Sequence, residues 1–559
     1  MREIIRSLIL SSLHRRELPT GSENGERGWV VEIPKRPGHG DYSTNAALVL
    51  ASAVRRPALD LAKEIAAGLE DSRGYVERVE VVPPGFVNFF LNKALLRETI
   101  REVVRLGGAY GRSSIGGGES VQVEFVSANP TGPLHVGHGR GAALGDALAN
   151  ILEATGYKVF REYYVNDVGT QMEVLGRSVY RRYLQELGVE AEFPDGFYKG
   201  AYIRELANEI LREDGEKWKD VGEAQALPRF VEYAKERILA QIKRDLEEFR
   251  VGYDAWFRES SLFVDNGVQR VLEGLRQKGL VYDTEGAVWF RSSAFGDEKD
   301  RVVVRSDGRT TYLASDIAYH ANKFERGFSK LIDIWGADHH GYVPRMRGVI
   351  QALGRDPGSL HVLLVQMVSL LRDGAPVSMS TRAGEFVTLR EVMEEVGVDA
   401  ARYIFLMRSS ESQLDFDLEV AKRQERENPV YYVQYAHARM CSILREAEQR
   451  GLSLPEAEES DLSLLTMREE WELVKDIVFY PEVVEMSARK LEPHHLTFFL
   501  DSLAADFHSY YNLGWLDRKA RVISEEPDLT SARLLLVCAL KTVVSNALGL
   551  LGVMAPAEM

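Results

Sequence analysis

The sequence predicts an α/β protein in three parts: a small α/β domain over residues 1–112, a parallel-sheet domain over 119–425, and an all-α helix bundle over 426–559. Three observations carry this. Val121, Val123 and Phe125 alternate with Gln122 and Glu124, and a run at helical spacing follows (Ala143, Leu144, Ala147, Leu148, Ile151, Leu152), the strand–turn–helix order of a parallel sheet. The Gly-rich YGRSSIGGGES at 110–120 links two folding units. Beyond Asn428 the helical spacing is almost unbroken. A chain of 559 residues has room for about three or four domains at roughly 100 to 200 residues each.

Taken in order, MREIIRSLILSSLHRREL reads as a first structural helix, since Glu3 and Glu17 argue against a transit peptide. IPKRPGHGDYSTNAALVLASAV places a Gly/Pro-rich loop before an Ala-rich helix, and VERVEVVPPGFVNFFL gives two strands around the Pro83, Pro84, Gly85 turn. In the middle part, the strand before Val126 is expected to bury one face, and Gly156 to close the helix after it. Residues 175–290 are charged and helical, which suggests an insertion outside the sheet. The last part begins NPVYYVQYAHARMCSILREAEQR, mixing aromatic and basic residues, and only LSLPEAEES and VISEEPDLTS interrupt its helices.

Composition narrows the function. A formal charge of −15 disfavours indiscriminate binding to nucleic acid, whose affinity comes from neutralising phosphates, but leaves room for a locally basic face. Cys441 and Cys538 sit in apolar helical context without a CxxC partner, so neither a disulfide framework nor a cysteine zinc site is expected, and the cytoplasm is the expected compartment. No apolar run approaches the roughly 20 residues of a membrane span, and LLLVCALK and HVLLVQMVSLL read as core helix or strand.

The chemistry concentrates at SANPTGPLHVGH, residues 127–138, between that strand and its helix. Three readings compete. A structural connection would leave His135 and His138 as surface polar groups. A dinucleotide site would use Gly137, Gly139 and Ala142 as G-x-G-x-x-A with Glu162 further on, but that fingerprint starts directly off its strand, and here Pro130 and Pro133 intervene. A nucleotide-activating site accounts for every residue: Gly137 lets a purine lie against the backbone, the helix start attracts phosphate, and the two histidines donate to phosphate oxygens.

HVGH is similar to the histidine signature of class I aminoacyl-tRNA synthetases, and VEFVSANPTGPLHVGHGRGAALGDALANILEATGYKVFREYYVNDVGTQ resembles its arginyl-tRNA synthetase form throughout. GHGDYSTNAAL and PPGFVNFFL resemble that family's N-terminal domain, which contacts the tRNA D-loop; TTYLASDIAYH, DIWGADHHGYVPR and GVDAARYIFLMRSSESQLDFDLEVAK resemble its catalytic domain. ENPVYYVQYAHAR, FHSYYN and LGLLGVMAP resemble its helical anticodon-binding domain. The resemblance implies a Rossmann-like catalytic domain and an arginine–tRNA ligase using ATP with Mg2+ and no zinc. L-arginine and tRNA(Arg) are the implied partners of a monomer that needs no membrane.

By the same resemblance, the signature runs through Ala128, Asn129, Pro130, Thr131, Gly132, Pro133, Leu134, His135, Val136, Gly137 and His138. ATP falls to Pro133, His135, Gly137, His138, Gly336, Asp338 and Met379, and arginine to Glu124, Asn129, His135, Tyr312 and Asp316. Catalysis falls to His135, His138, Ser380 and Arg382, and tRNA binding to Tyr431, Tyr435 and Arg439. The substrate logic also stands alone: a planar guanidinium with five donors needs carboxylates and polar acceptors, and Tyr312 and Asp316 lie one helical turn apart. His339 and His340 beside Asp338 invite a metal reading, but adjacent side chains diverge and a third ligand is missing from the stretch. The second class signature corresponds to PVSMSTRAGEFVTL, where Ser378 replaces the expected lysine; either Arg372 or Arg382 supplies the charge, or the protein is a catalytically weakened tRNA-binding relative.

Overall fold

The computed structural model describes residues 1–20, 28–34, 38–377, 387–452 and 457–559. The first unit comprises α1 (Arg2–Arg15), β1 (Val31–Glu32), β2 (Tyr42–Thr44), α2 (Ala46–Val54), α3 (Ala58–Ala67), β3 (Val76–Val82), β4 (Phe86–Leu91) and α4 (Lys93–Leu106). Its antiparallel sheet runs β1-β2-β4-β3, with the Pro83–Gly85 turn between β3 and β4. Asn92 caps α4 by accepting from the amides of Ala94 and Leu95, an arrangement typically contributing about 1 kcal/mol.

The second unit begins with β5 (Ser120–Glu124), α5 (Val136–Ala154) and β6 (Lys158–Val165), then three packed helices, α6 (Thr170–Glu186), α7 (Ala201–Asp214) and α8 (Glu223–Glu248), and β7 (Ala255–Arg258). A small subunit follows: α9 (Gly267–Gln277) with β8 (Val281–Thr284), β9 (Ala287–Phe290) and β10 (Arg301–Val304) in one antiparallel sheet. The chain returns through α10 (Tyr312–Glu325), β11 (Lys330–Gly336), α11 (Val343–Ala352) and β12 (Leu360–Val365). Then come β13 (Val368–Arg372), β14 (Ala375–Pro376), α12 (Leu389–Val396), α13 (Val398–Leu406), β15 (Leu414–Asp417) and α14 (Leu418–Lys422). Five strands form the main sheet in the order β12-β11-β5-β6-β7, every pair parallel.

Two expectations are corrected here. β5 lies in the middle of the sheet and is buried on both faces, so Gln122 and Glu124 point inward rather than to solvent. The stretch 175–290 is not wholly outside the sheet, because Ala255–Arg258 is its edge strand. HVLLVQMVSLL spans β12 and β13.

The last unit holds α15 (Pro429–Gln449), α16 (Arg468–Lys490), α17 (His494–Leu516) and α18 (Pro527–Leu550). By length and apolar content α18 could cross a membrane, but Leu534, Leu535, Leu536, Leu540 and Val544 are buried against α15, α16 and α4. The second and last units are joined in part by Arg402 of α13, fully buried. It pairs with Asp146 of α5 and donates to the carbonyls of Phe249, just after α8, and Leu551, just after α18.

Candidate active site

From β5 the chain moves outward to β6 and β7 on one side and to β11 and β12 on the other. The crevice between the C-terminal ends of β5 and β11 is therefore the switch point, where an open parallel sheet receives a ligand. Leaving β5, Val126 (φ 69°) and Ser127 (φ 41°) are both left-handed, a conformation a β-branched residue adopts only when its surroundings impose it. The constraint is visible in three tyrosine hydroxyls, those of Tyr253, Tyr163 and Tyr202, which donate to the carbonyls of Phe125 (3.2 Å), Ala128 (2.8 Å) and Thr131 (2.7 Å). Asn129 donates to Gln171 Oε1 at 2.8 Å. Pro130 and Leu134 are buried, and Gly132 and Pro133 are partly exposed at the turn.

His135 and His138 cap α5 reciprocally. His135 Nδ1 accepts from the amides of Gly137 (3.1 Å) and His138 (3.4 Å), and His138 Nδ1 accepts from the amide of His135 (3.3 Å). The rings stack with centroids 3.6 Å apart. A nitrogen that accepts carries no proton, so each neutral ring bears its N–H at Nε2. Burial lowers the pKa of both; His138, with His135 adding to the effect, is pushed down to about 3. Both are therefore neutral donors near pH 7. A Cβ on Gly137 would press on the His135 ring, with Cε1 at 3.0 Å, so this glycine lets the imidazole fold back over the helix start. Val136 donates to Val387 O (3.2 Å) and Leu389 to Leu134 O (2.8 Å), forming an antiparallel bridge between His135 and Thr388.

Across the crevice, α10 starts at Tyr312, which is 58% exposed, and presents Asp316 one turn later. Asp316 accepts from the Tyr342 hydroxyl, and burial pushes its carboxyl above the usual range although that hydroxyl works against it. Glu259, just after β7, is buried nearby; burial raises its pKa too, against hydrogen bonds from Ser315 and Tyr164. Behind these acids lies fully buried Lys323, bonded to Glu124 Oε2 (2.6 Å) and Asp333 Oδ1 (2.8 Å), with His320 on the other Asp333 oxygen (3.0 Å). Burial pushes Asp333 up, but Lys323 and His320 outweigh it and hold it down at about 2. Both Glu124 oxygens are engaged, the second by Ser127 Oγ at 3.0 Å.

His135, Gly137 and His138 thus stand at the start of α5 with Asn129 in the loop before it, Tyr312 and Asp316 stand at the start of α10, and Glu124 ends β5 with both oxygens engaged. Gly336 ends β11, and Asp338, His339 and His340 are exposed on the short helix after it, with His339 Nε2 3.6 Å from Asp338. Glu162, needed by the dinucleotide reading, is inside the sheet, bonded to Arg326, Tyr319 and Gln122, and so cannot meet a ribose. Ser378, Met379, Ser380 and Arg382 lie outside the described residues. Arg372 is tied to Glu395 (2.7 and 3.0 Å) and Glu419 (2.6 Å), so its charge is already matched. Among the described residues, the side chains close enough to share an ion are Glu492, His494 and His495 of the bundle, where Glu492 already bonds His495 at 2.7 Å.

Glu259, Lys323 and Tyr342 escaped the sequence reading. For Lys323 a signal existed: Asp316, His320 and Lys323 recur at i, i+4 and i+7 of one helix. Nothing local flags Glu259 or Tyr342. In the bundle, Tyr431 and Tyr435 stack at 6.0 Å, and the Arg439 guanidinium lies 5.1 Å from both the Tyr435 and Tyr511 rings. The strip continues through His508 to Trp515, which is 71% exposed.

Three family models match in succession: Arginyl tRNA synthetase N terminal domain over residues 3–91, tRNA synthetases class I (R), catalytic domain over 101–422, and DALR anticodon binding domain over 433–559. The chain is 53% identical over 529 residues to an arginine–tRNA ligase of Syntrophotalea carbinolica, covering 95% of this chain and 94% of that one. It is 50% identical over 561 residues to an arginine–tRNA ligase of Citrifermentans bemidjiense, covering 100% of both. A solved arginyl-tRNA synthetase of Thermus thermophilus, 24% identical, shares the fold with a TM-score of 0.77 over 100% of each chain.

Proposed function

We infer the residue roles below from one premise: the chain belongs to the arginyl-tRNA synthetase family of class I tRNA synthetases. It is an arginine–tRNA ligase. The arginine carboxylate attacks the α-phosphorus of ATP, forming arginyl-adenylate and releasing pyrophosphate; the 2′-hydroxyl of the terminal adenosine of tRNA(Arg) then attacks the activated carbonyl, releasing AMP.

The supporting observation is the contrast across the switch point, with a neutral imidazole pair capping α5 on one side and an acidic, tyrosine-walled recess on the other. His135 and His138 offer Nε2–H to phosphate oxygens whose charge grows during attack; neutral preorganised donors do this without a counter-ion. Pro133 and Gly137 border the adenine, Gly336 and Asp338 the ribose, and Met379, Ser380 and Arg382 the departing pyrophosphate. Asp316 pairs with the guanidinium, Tyr312 walls it, and Asn129 and Glu124 border the amino-acid end. A carboxylate–guanidinium pair rejects lysine by geometry and citrulline by loss of charge. Mg2+ enters with ATP, held mainly by phosphates and water.

The N-terminal unit takes the tRNA corner, and Tyr431, Tyr435 and Arg439, extended by Tyr511 and Trp515, take unpaired anticodon-loop bases by stacking. The enzyme acts as a cytoplasmic monomer without a membrane. Arginine-dependent ATP–pyrophosphate exchange in the presence of tRNA(Arg) tests the reading. Exchange is expected, whereas tRNA binding without exchange would favour the weakened relative that Ser378 suggests.

A further inference from the structure

Five cationic Lys or Arg side chains are buried among the described residues, and four have a carboxylate: Lys235 with Glu232, Lys323 with Glu124 and Asp333, Arg402 with Asp146, and Arg533 with Glu470. The fifth, Arg140, has none among the described residues. It is 1% exposed, and among the described residues its guanidinium donates only to two backbone carbonyls, Gln366 O and Ser409 O, both at 2.9 Å. The nearest acid along its helix, Asp146, is taken by Arg402.

Arg140 stands on the second turn of α5, five residues past the His135 cap, a rise of about 7.5 Å. A buried cation without an anion is unfavourable there. Carbonyl dipoles meet only part of this, and burial lowers the guanidinium pKa to about 10. A polyanion at the start of α5 offsets that cost, because a protein interior screens attraction far less than water does.

We infer that Arg140 is the internal counter-charge of the bound triphosphate, strengthening ATP binding through its field without touching the nucleotide. This rests on the reading that the triphosphate lies at His135 and His138. Charge, rather than hydrogen bonding, is then what the position supplies.

The test is ATP–pyrophosphate exchange by the full chain with tRNA(Arg) and saturating arginine, with ATP varied. Arg140→Lys keeps the charge and should hold KM for ATP within about twofold. Arg140→Gln keeps donors without charge and should raise it about tenfold with kcat little changed, the mark of lost uniform binding. In both, KM for arginine stays put. Equal impairment of the two, rescue by Gln but not Lys, or an unchanged Gln variant would overturn the inference. Should the Gln variant not fold, the Lys variant suffices: a buried lysine titrates below its usual pKa, so its KM for ATP should climb between pH 7 and 9, a range in which the parent guanidinium stays charged and its KM stays level. Parallel profiles overturn the idea. His138→Ala, run alongside, separates the two failures, since an unimpaired His138→Ala sinks the site itself and an impaired one leaves only Arg140 in question.

Discussion

The two walls of the crevice are polar by different means. The wall at α5 presents neutral groups, two imidazoles held as Nε2 donors and a helix start. The wall at α10 presents buried acids, and Lys323 backs them from behind through Glu124 and Asp333. Oriented dipoles need no counter-ion, but clustered charges do.

Removing that counter-ion is the most severe way to break the contrast. Lys323→Met removes the ammonium shared by two buried carboxylates, leaving Glu124 to Ser127 and Asp333 to His320, and should lower stability by about 3–5 kcal/mol, read as a urea midpoint; an unmoved midpoint would mean the acidic wall stands without its backing. Asp316→Asn should weaken arginine use by about 2–5 kcal/mol in kcat/KM while KM for ATP holds, and a shift in ATP instead would misassign the two walls. His138→Ala should cost roughly 10² to 10³ in the rate of exchange with KM for arginine unchanged.

The smallest effect sharpens the comparison by pH. His138 has its folded pKa depressed to about 3 from an ordinary value of 6.5, so below about pH 6.5 the unfolded chain takes up a proton that the folded one refuses. Stability contributed by the neutral ring is complete above 6.5 and is lost as pH falls toward 3. His138→Asn should therefore lose less stability between pH 7 and 5 than the parent; an equal loss in urea titrations would show that the ring is already charged when folded.

Much of the α5 wall was legible because its residues are consecutive: strand, turn, histidines and helix follow within 120–154, and local periodicity reports them directly. Even there, alternation misled. Gln122 and Glu124 look solvent-facing, yet the strand is central and both are spent on internal partners. The α10 wall was half legible. Tyr312 and Asp316 share one helix, but Glu259 and Tyr342 arrive from beyond two other strands, and only the sheet order brings them together. The edge strand Ala255–Arg258 was missed for a related reason, since four residues after a long charged helix are too few to set up a period.

The Arg402 guanidinium finds its partners only when segments from α5, the end of α8 and the turn after α18 have all arrived. Should one of them peel away, the charge is stranded in an apolar interior, so partly opened states are penalised out of proportion to the area they expose. The catalytic and helical units should consequently melt together in a single transition, even though each has secondary structure enough to suggest independence.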